Sequence, residues 1–210
     1  MAGELYNHCI VCEAPGVQQC SSCKTARYCS KEHQKQDWRA HKEYCLQVKA
    51  AGDQTFTAIL FPVNERRPRL VKIPFEDVID EEDGISWQKL QRNVWFKHPD
   101  SFVKADYFNN MGINGPDLGR TLCFFYDDNS IINRLPLNRC IVNMTGGKAG
   151  HVWCGNIFGL RSKDHTYFNE YNDAVLEEDL EPFVAYFDQY NKVRPDHMDP
   201  VLWAKMHPGA

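Results

Sequence analysis

Between Cys9 and Cys45, eight residues of metal-ligating type fall in four pairs: Cys9/Cys12, Cys20/Cys23, Cys29/His33 and His41/Cys45. The first two pairs have the C-x-x-C spacing that lets two thiolates reach one ion at about 2.3 Å, with backbone amides turned toward the sulfurs. In each of the last two, three residues intervene, which on a helix places both side chains on one face, a turn apart. Zinc takes four tetrahedral ligands and a structural site leaves no position open, so eight ligands imply two zinc ions in closed sites and no catalysis at either. In chain order the sites would be four cysteines, then two cysteines with two histidines. Interleaved, they would be Cys9, Cys12, Cys29, His33 and Cys20, Cys23, His41, Cys45. Spacing admits both. Buried thiols or the disulfides of a small secreted domain are the competing reading, but four spaced pairs with two histidines are far more specific than a lone C-x-x-C.

The run ARYCSKEHQKQDWRAHKEYC resembles a MYND zinc finger, in which the knuckles are followed by YC-x3-[C/H], a tryptophan and H-x3-C. Every ligand is in place, with His33 standing where many members have cysteine. The resemblance implies the interleaved pairing. It also implies a role for Gln34 and Trp38, which match positions that in some such fingers line a groove for short proline-containing peptides of a partner protein. The competing reading of Trp38 is that it packs on the zinc core.

These ligands must be carried by a fold, and the local signals are clear. Ser30 is an N-cap, the residues from Lys31 to about Ala51 favour helix, and Gly52 supplies the stop. A boundary at 50–54 divides the chain into a finger (1–50), a second domain (55–192) and a tail (193–210). Removing metal is then expected to unfold the finger and spare the second domain.

In the second domain, TFTAILFPV (Thr55 to Val63) and RLVKIPFEDV (Arg69 to Val78) read as a pair of strands, with Pro62 and Pro74 expected at edges or strand ends. The acidic DEEDG (Asp80 to Gly84) punctuates, and Ile85 to Phe96 reads as a short helix or remains ambiguous. A glycine-rich loop from Asn110 to Gly119 leads into the buried strand Arg120 to Asp128. Asn138 to Gly147 is a helix capped by Asn138 or another strand, and His151 to Ser162 reads as a strand. Leu176 to Tyr190 has apolar residues at three- and four-residue steps with Glu177, Glu178, Asp179 and Glu181 in its first turns, an amphipathic helix. The apolar cluster Val201 to Met206 is expected to dock as a short turn or fray. Strands followed by one good helix, without regular alternation, indicate an α+β domain with a mainly antiparallel sheet. The ILFPV segment, the TGGKAGHVW box and the late acidic helix resemble a fungal group of MYND-finger proteins whose second domain has no assigned activity.

The chain has 210 residues, 43% apolar and 12% aromatic, enough for a metal-held module and one real core. Its net charge is -4, and the finger from Met1 to Val48 is close to neutral, with Lys24, Arg27, Lys31, Lys35, Arg39 and Lys42 against Glu4, Glu13, Glu32, Asp37 and Glu43. That balance disfavours nucleic acid as a partner. No run of eighteen apolar residues is present and the start, MAGELYNHCIVC, lacks the pattern of an export signal. Cys123, Cys140 and Cys154 remain outside the ligand set, an odd number that suits a reducing compartment, cytosol or nucleus.

Outside the finger only the box Thr145-Gly146-Gly147-Lys148-Ala149-Gly150-His151, with Trp153 and Cys154, could do chemistry, as a glycine-rich anion cradle or a site for a small ligand. The Walker spacing fails there, and a turn joining two core elements is the favoured reading. His151 and Cys154, with Cys140, lack a fourth metal ligand. Neither the signature of a SET methyltransferase nor a glycine motif for its methyl donor follows the finger. The function that results is a zinc-held protein-interaction adaptor. The alternative, an enzyme or ligand-binding protein built on the Thr145 to His151 box, would depend on Lys148 and His151.

Overall fold

The computed structural model describes residues 7–79, 81, 84–163 and 170–208, so most of the DEEDG punctuation and the first six residues lie outside the described part. The chain begins with a two-stranded hairpin, β1 (Gln18–Gln19) and β2 (Arg27–Tyr28), followed by helix α1 (Lys31–Ala51). Ser30 Oγ accepts the His33 amide and Gly52, at φ 59°, ends the helix, as its sequence indicates. An antiparallel sheet follows, built from β3 (Thr55–Phe61), β4 (Arg69–Ile79), β5 (Ser86–Leu90), β6 (Val103–Asn110), β7 (Asp117–Asp127), β8 (Ile157–Ser162) and β9 (Tyr171–Asn172). Its order is β5-β4-β3-β8-β7-β6, with β9 against β8. Helices α2 (Arg139–Met144), α3 (Leu176–Gln189) and α4 (Pro200–Met206) complete an α+β fold.

The central strands are apolar on both sides because both sides are covered. Ala58, Leu60, Val71, Ile73, Phe125 and Phe158 belong to one buried cluster, which also contains Cys9, Cys20, Tyr28, Tyr44 and Val48 of the finger. The alternate residues Ile59, Phe61, Leu122, Phe124 and Ile157 pack against Ile141, Leu180, Phe183 and Phe187 of α2 and α3. Gly159, on that second face, gives the Phe183 ring room that any Cβ would fill. The finger and the sheet therefore share one core across the 50–54 boundary, which argues that metal loss reaches the sheet face covered by the finger as well as the finger itself.

Five elements differ from their sequence reading. Ile85 to Phe96 is not a helix: Ser86–Leu90 pairs with β4, and the chain then turns through Val94 and Trp95. Pro74 lies inside β4 rather than at its end, opposite Thr55 at the last pairing with β3 and just before the first pairing with β5. At that handover the Pro74 carbonyl still accepts the Gln91 amide at 2.8 Å, and no N–H is needed there. Strand β6 has no counterpart in the sequence reading because Lys104, Asp106 and Asn109 interrupt its apolar residues, as on an edge strand. Its partner β7 begins before Arg120, and the register shift beside Asn110 accommodates Gly119 at φ 66°. Finally, β8 starts only at Ile157. Residues 151–154 are irregular, tied by a single bridge between Leu137 and Cys154.

Two buried polar side chains fix how the helices meet the sheet. Asn138, fully buried, caps α2 through the Ile141 amide at 2.9 Å and donates to the carbonyls of Phe61 and Gly155 at 2.9 and 2.7 Å. Asp179, also fully buried, accepts from Arg120 Nε, Arg161 Nε and the Val175 amide at 2.7–2.8 Å. Asp179 thus meets the N-terminus of α3 through the Val175 amide while pointing into the protein to hold both arginines. Pro182 inside α3 cannot bond the Glu178 carbonyl, which instead accepts Arg120 Nη2 at 2.8 Å.

Candidate metal centre

The fold gathers the eight ligands into two clusters, Cys9, Cys12, Cys29, His33 and Cys20, Cys23, His41, Cys45, with the ligand atoms of each within 4.8 Å of one another. The interleaved pairing is the one formed. Tetrahedral zinc with bonds of about 2.0 to 2.3 Å requires S···S edges of about 3.75 Å and S···N edges of about 3.5 Å. Cys12 and Cys29 Sγ are 3.7 Å apart, as are Cys20 and Cys45 Sγ. Cys9 Sγ lies 3.5 Å from His33 Nδ1, and Cys23 Sγ 3.6 Å from His41 Nε2. Only Cys29 Sγ to His33 Nδ1, at 3.1 Å, is tighter than that frame. The residues fit two zinc ions, which would cross-link the knuckles to the helix and hold the hairpin closed.

Each knuckle is shaped in the same way. The residue after its second cysteine, Glu13 or Lys24, has a left-handed backbone, φ 60° and 55°. Their amides close the turns on the Cys9 and Cys20 carbonyls at 2.8 and 2.9 Å. This conformation costs a side-chain-bearing residue about 1 kcal/mol, which metal binding offsets. Burial raises the Cys9 thiol, yet backbone amides of Cys29, Val11 and Cys12 with the His33 ring bring it down to about 6. Cys23 also falls to about 6, against its burial, through His41, the Ala26 amide and the Thr25 hydroxyl. The same donors that favour these thiolates favour metal ligation.

The two sites differ in enclosure. All four ligands of the second are buried, whereas in the first only Cys9 is, and Cys12 is exposed. The second site is backed by aromatic residues: Tyr28, fully buried, stands edge-on to His41 and donates to Asp37 Oδ2 at 2.8 Å. Tyr44 packs on His41 with ring centroids 5.8 Å apart, its hydroxyl 2.9 Å from Thr25 Oγ1, which in turn donates to Cys23 Sγ at 3.5 Å. The same hydroxyl accepts the Lys72 amide of β4 at 2.9 Å. Sequence reasoning passed over Thr25 and Tyr44. The only signal was that Tyr44 precedes a ligand and falls one turn after His41.

Beside the ligands, Gln34 and Trp38 lie one turn apart on α1. Trp38 is 44% exposed, its ring tilted toward His41 at 6.2 Å. It therefore presents a surface and is not enclosed in the zinc core. Residues 9–45 match the model of the MYND finger family. Residues 9–45 are a MYND finger. Such a finger is a protein-interaction module, and this one carries two zinc sites.

The chain is similar to bovine (Bos taurus) programmed cell death protein 2, 39% identical over 90 residues that make up 40% of this chain and 22% of that protein. It is 52% identical to the rat (Rattus norvegicus) programmed cell death protein 2 over 93 residues, 39% of this chain and 27% of that one. With the pig (Sus scrofa) N-lysine methyltransferase SMYD2 it shares 43% identity over 134 residues, 52% of this chain and 31% of the enzyme. The chain thus spans less than a third of the length of each of these relatives. No solved structure is significantly similar to it.

The glycine-rich box after α2 is folded as a turn. Gly146 and Gly147, at φ 60° and 76°, bring their amides onto the Asn143 and Val142 carbonyls. Lys148 N bonds the Thr145 carbonyl and Gly150 N the Phe187 carbonyl. Four of its amides are spent within the fold, so they form no anion cradle. Trp153 is 3% exposed in an aromatic cluster with His151, Tyr190 and Phe187. Burial lowers the His151 ring and raises the Cys140 and Cys154 thiols, the reverse of an activated pair. Among the described residues these three form no metal-ligating cluster.

Proposed function

We propose that the chain is an adaptor, in the cytosol or nucleus, whose finger recognises a short proline-containing segment of a partner protein across Gln34 and Trp38. The observation that carries this reading is the exposed Trp38 on a helix fixed at both of its flanks by ligands, His33 and His41. A rigid aromatic surface with an amide one turn away suits a polyproline-like segment, which is already extended and loses little entropy on binding. The near-neutral finger neither attracts nor repels such a segment, while it offers little to a phosphate backbone. The interaction-module character of the MYND family supports the same reading.

The test is calorimetric titration of the zinc-loaded chain with a proline-rich peptide selected on it, beside Trp38→Ala and Gln34→Ala. Both variants are expected to keep their zinc, and Trp38→Ala to lose at least about tenfold in affinity, as expected of an aromatic anchor. Full affinity in Trp38→Ala would remove the groove from the account.

A further inference from the structure

On the opposite flank of α1 from Trp38, a cleft of about 440 Å³ opens between the finger and the sheet. Ile10 and Ala40 form its finger wall, and Pro62, Phe96 and Pro136 its sheet wall. It adjoins a second cavity of about 520 Å³ that shares Ile10, Asp37 and Ala40 and runs on past Val11 and Arg39. Together they make a groove along the helix rather than a closed pocket.

One enclosed charged side chain in that groove has unused hydrogen-bonding capacity. Arg69 lies on the α1-facing side of β4, in register with Val71 and Ile73, and its side chain is 12% exposed. Its Nε is spent on both oxygens of Glu65, at 3.0 and 3.2 Å, and its guanidinium stands 6.0 Å from the centre of the Trp95 ring. Neither Nη has a hydrogen-bond partner among the described residues. Glu65 offers little more, since it also accepts from His8 Nε2 at 2.9 Å. An enclosed guanidinium held by Nε, with both Nη groups unspent, is preorganised for a bidentate carboxylate.

We propose that this groove binds an extended segment of a partner protein in which an aspartate or glutamate lies between apolar residues. The carboxylate pairs with Arg69 Nη1 and Nη2, and the flanking side chains cover Ile10, Ala40, Phe96 and Pro136. Asp37, which accepts the Tyr28 hydroxyl, also lines the groove, and with Glu65 beside Arg69 it leaves no net positive charge there, which admits a single carboxylate placed by the Arg69 fork and disfavours a phosphate dianion. Because both walls are needed, this site exists only where finger and sheet are docked, and it is independent of the proline groove.

A random displayed peptide library, panned on the zinc-loaded full chain and on its Trp38→Ala and Ala40→Trp variants, tests this. Ala40 is exposed on the helix, so a tryptophan there fills the groove without entering the core. The expected result is a set of peptides with Asp or Glu between apolar residues, retained by Trp38→Ala and lost by Ala40→Trp. Calorimetry with the strongest of them should show at least about tenfold weaker binding to Arg69→Lys, which keeps charge and zinc but loses the fork. Peptides without an acidic residue, peptides retained by Ala40→Trp, or unchanged affinity in Arg69→Lys would each overturn the proposal. Loss of proline-rich peptides in Trp38→Ala reports on the other groove alone.

Discussion

Cys12 and Cys23 occupy equivalent places in the two knuckles, yet one is exposed and the other buried. That difference sets the order in which metal leaves. Metal analysis is expected to give two zinc ions per chain, and a chelator to remove the ion held by Cys9, Cys12, Cys29 and His33 first. Stopped-flow release followed with a zinc dye should then show two phases, and Cys12→Ser should abolish only the fast one. A single phase of one ion would contradict the two-site arrangement. Outside the finger, burial raises the Cys123 thiol well above its usual range, so the native chain should leave it unlabelled by iodoacetamide until denaturant is added, as peptide mass mapping would show. The buried carboxylate of Asp179 gives the sharpest stability effect. Asp179→Ala leaves Arg120 and Arg161 without their shared partner and is expected to cost about 3 kcal/mol. Thermal unfolding should fall by about 6 to 12 °C.

At the scale of elements, the helix α1 was legible from Ser30, Gly52 and the absence of breakers, because local hydrogen bonds decide both ends, whereas Asn138 to Gly147 stayed open between helix and strand and only the buried Asn138 cap decides it. The buried strands β3, β7 and β8 were legible in part, since strands covered on both faces read as unbroken apolar runs. Strand β6 was not, because an edge strand with Lys104 and Asp106 carries the composition of a loop. Strand β5 fell to the same difficulty, with only Trp87 and Leu90 as large apolar residues. In the finger the ligands could be read off their spacing, while their pairing required either the family resemblance or coordinates. Thr25 and Tyr44 act through tertiary contacts that have no period. Tyr44→Phe tests that layer: it removes the hydroxyl that joins Thr25 to the Lys72 amide and should cost about 1 to 3 kcal/mol by chemical denaturation, with zinc content unchanged. No loss of stability would show that the contact is incidental.

The whole molecule is organised by a core that crosses from the zinc finger into the sheet. Tyr44 and Val48 of α1 pack with Val71, Ile73 and Leu90, and the buried pair of His8 with Glu65 and the Glu13 carboxylate on the Arg66 amide add polar links. Burial raises the Glu65 carboxyl, but Arg69 beside it and the His8 hydrogen bond hold it below the usual carboxylate range, so this link is fully present near neutral pH and weakens as acid protonates it. Structural zinc contributes about 10 to 16 kcal/mol of apparent binding free energy to small modules, far more than such links supply, and the sheet face beneath α1 depends on it. Amide exchange with mass spectrometry, comparing the zinc-loaded chain with the same chain in chelator, tests this most directly. The account predicts that peptides covering Val71 to Ile73 lose protection together with the finger, while those covering Phe183 to Phe187 on the far face lose less. Complete loss of zinc with unchanged protection at Val71 to Ile73 would contradict it.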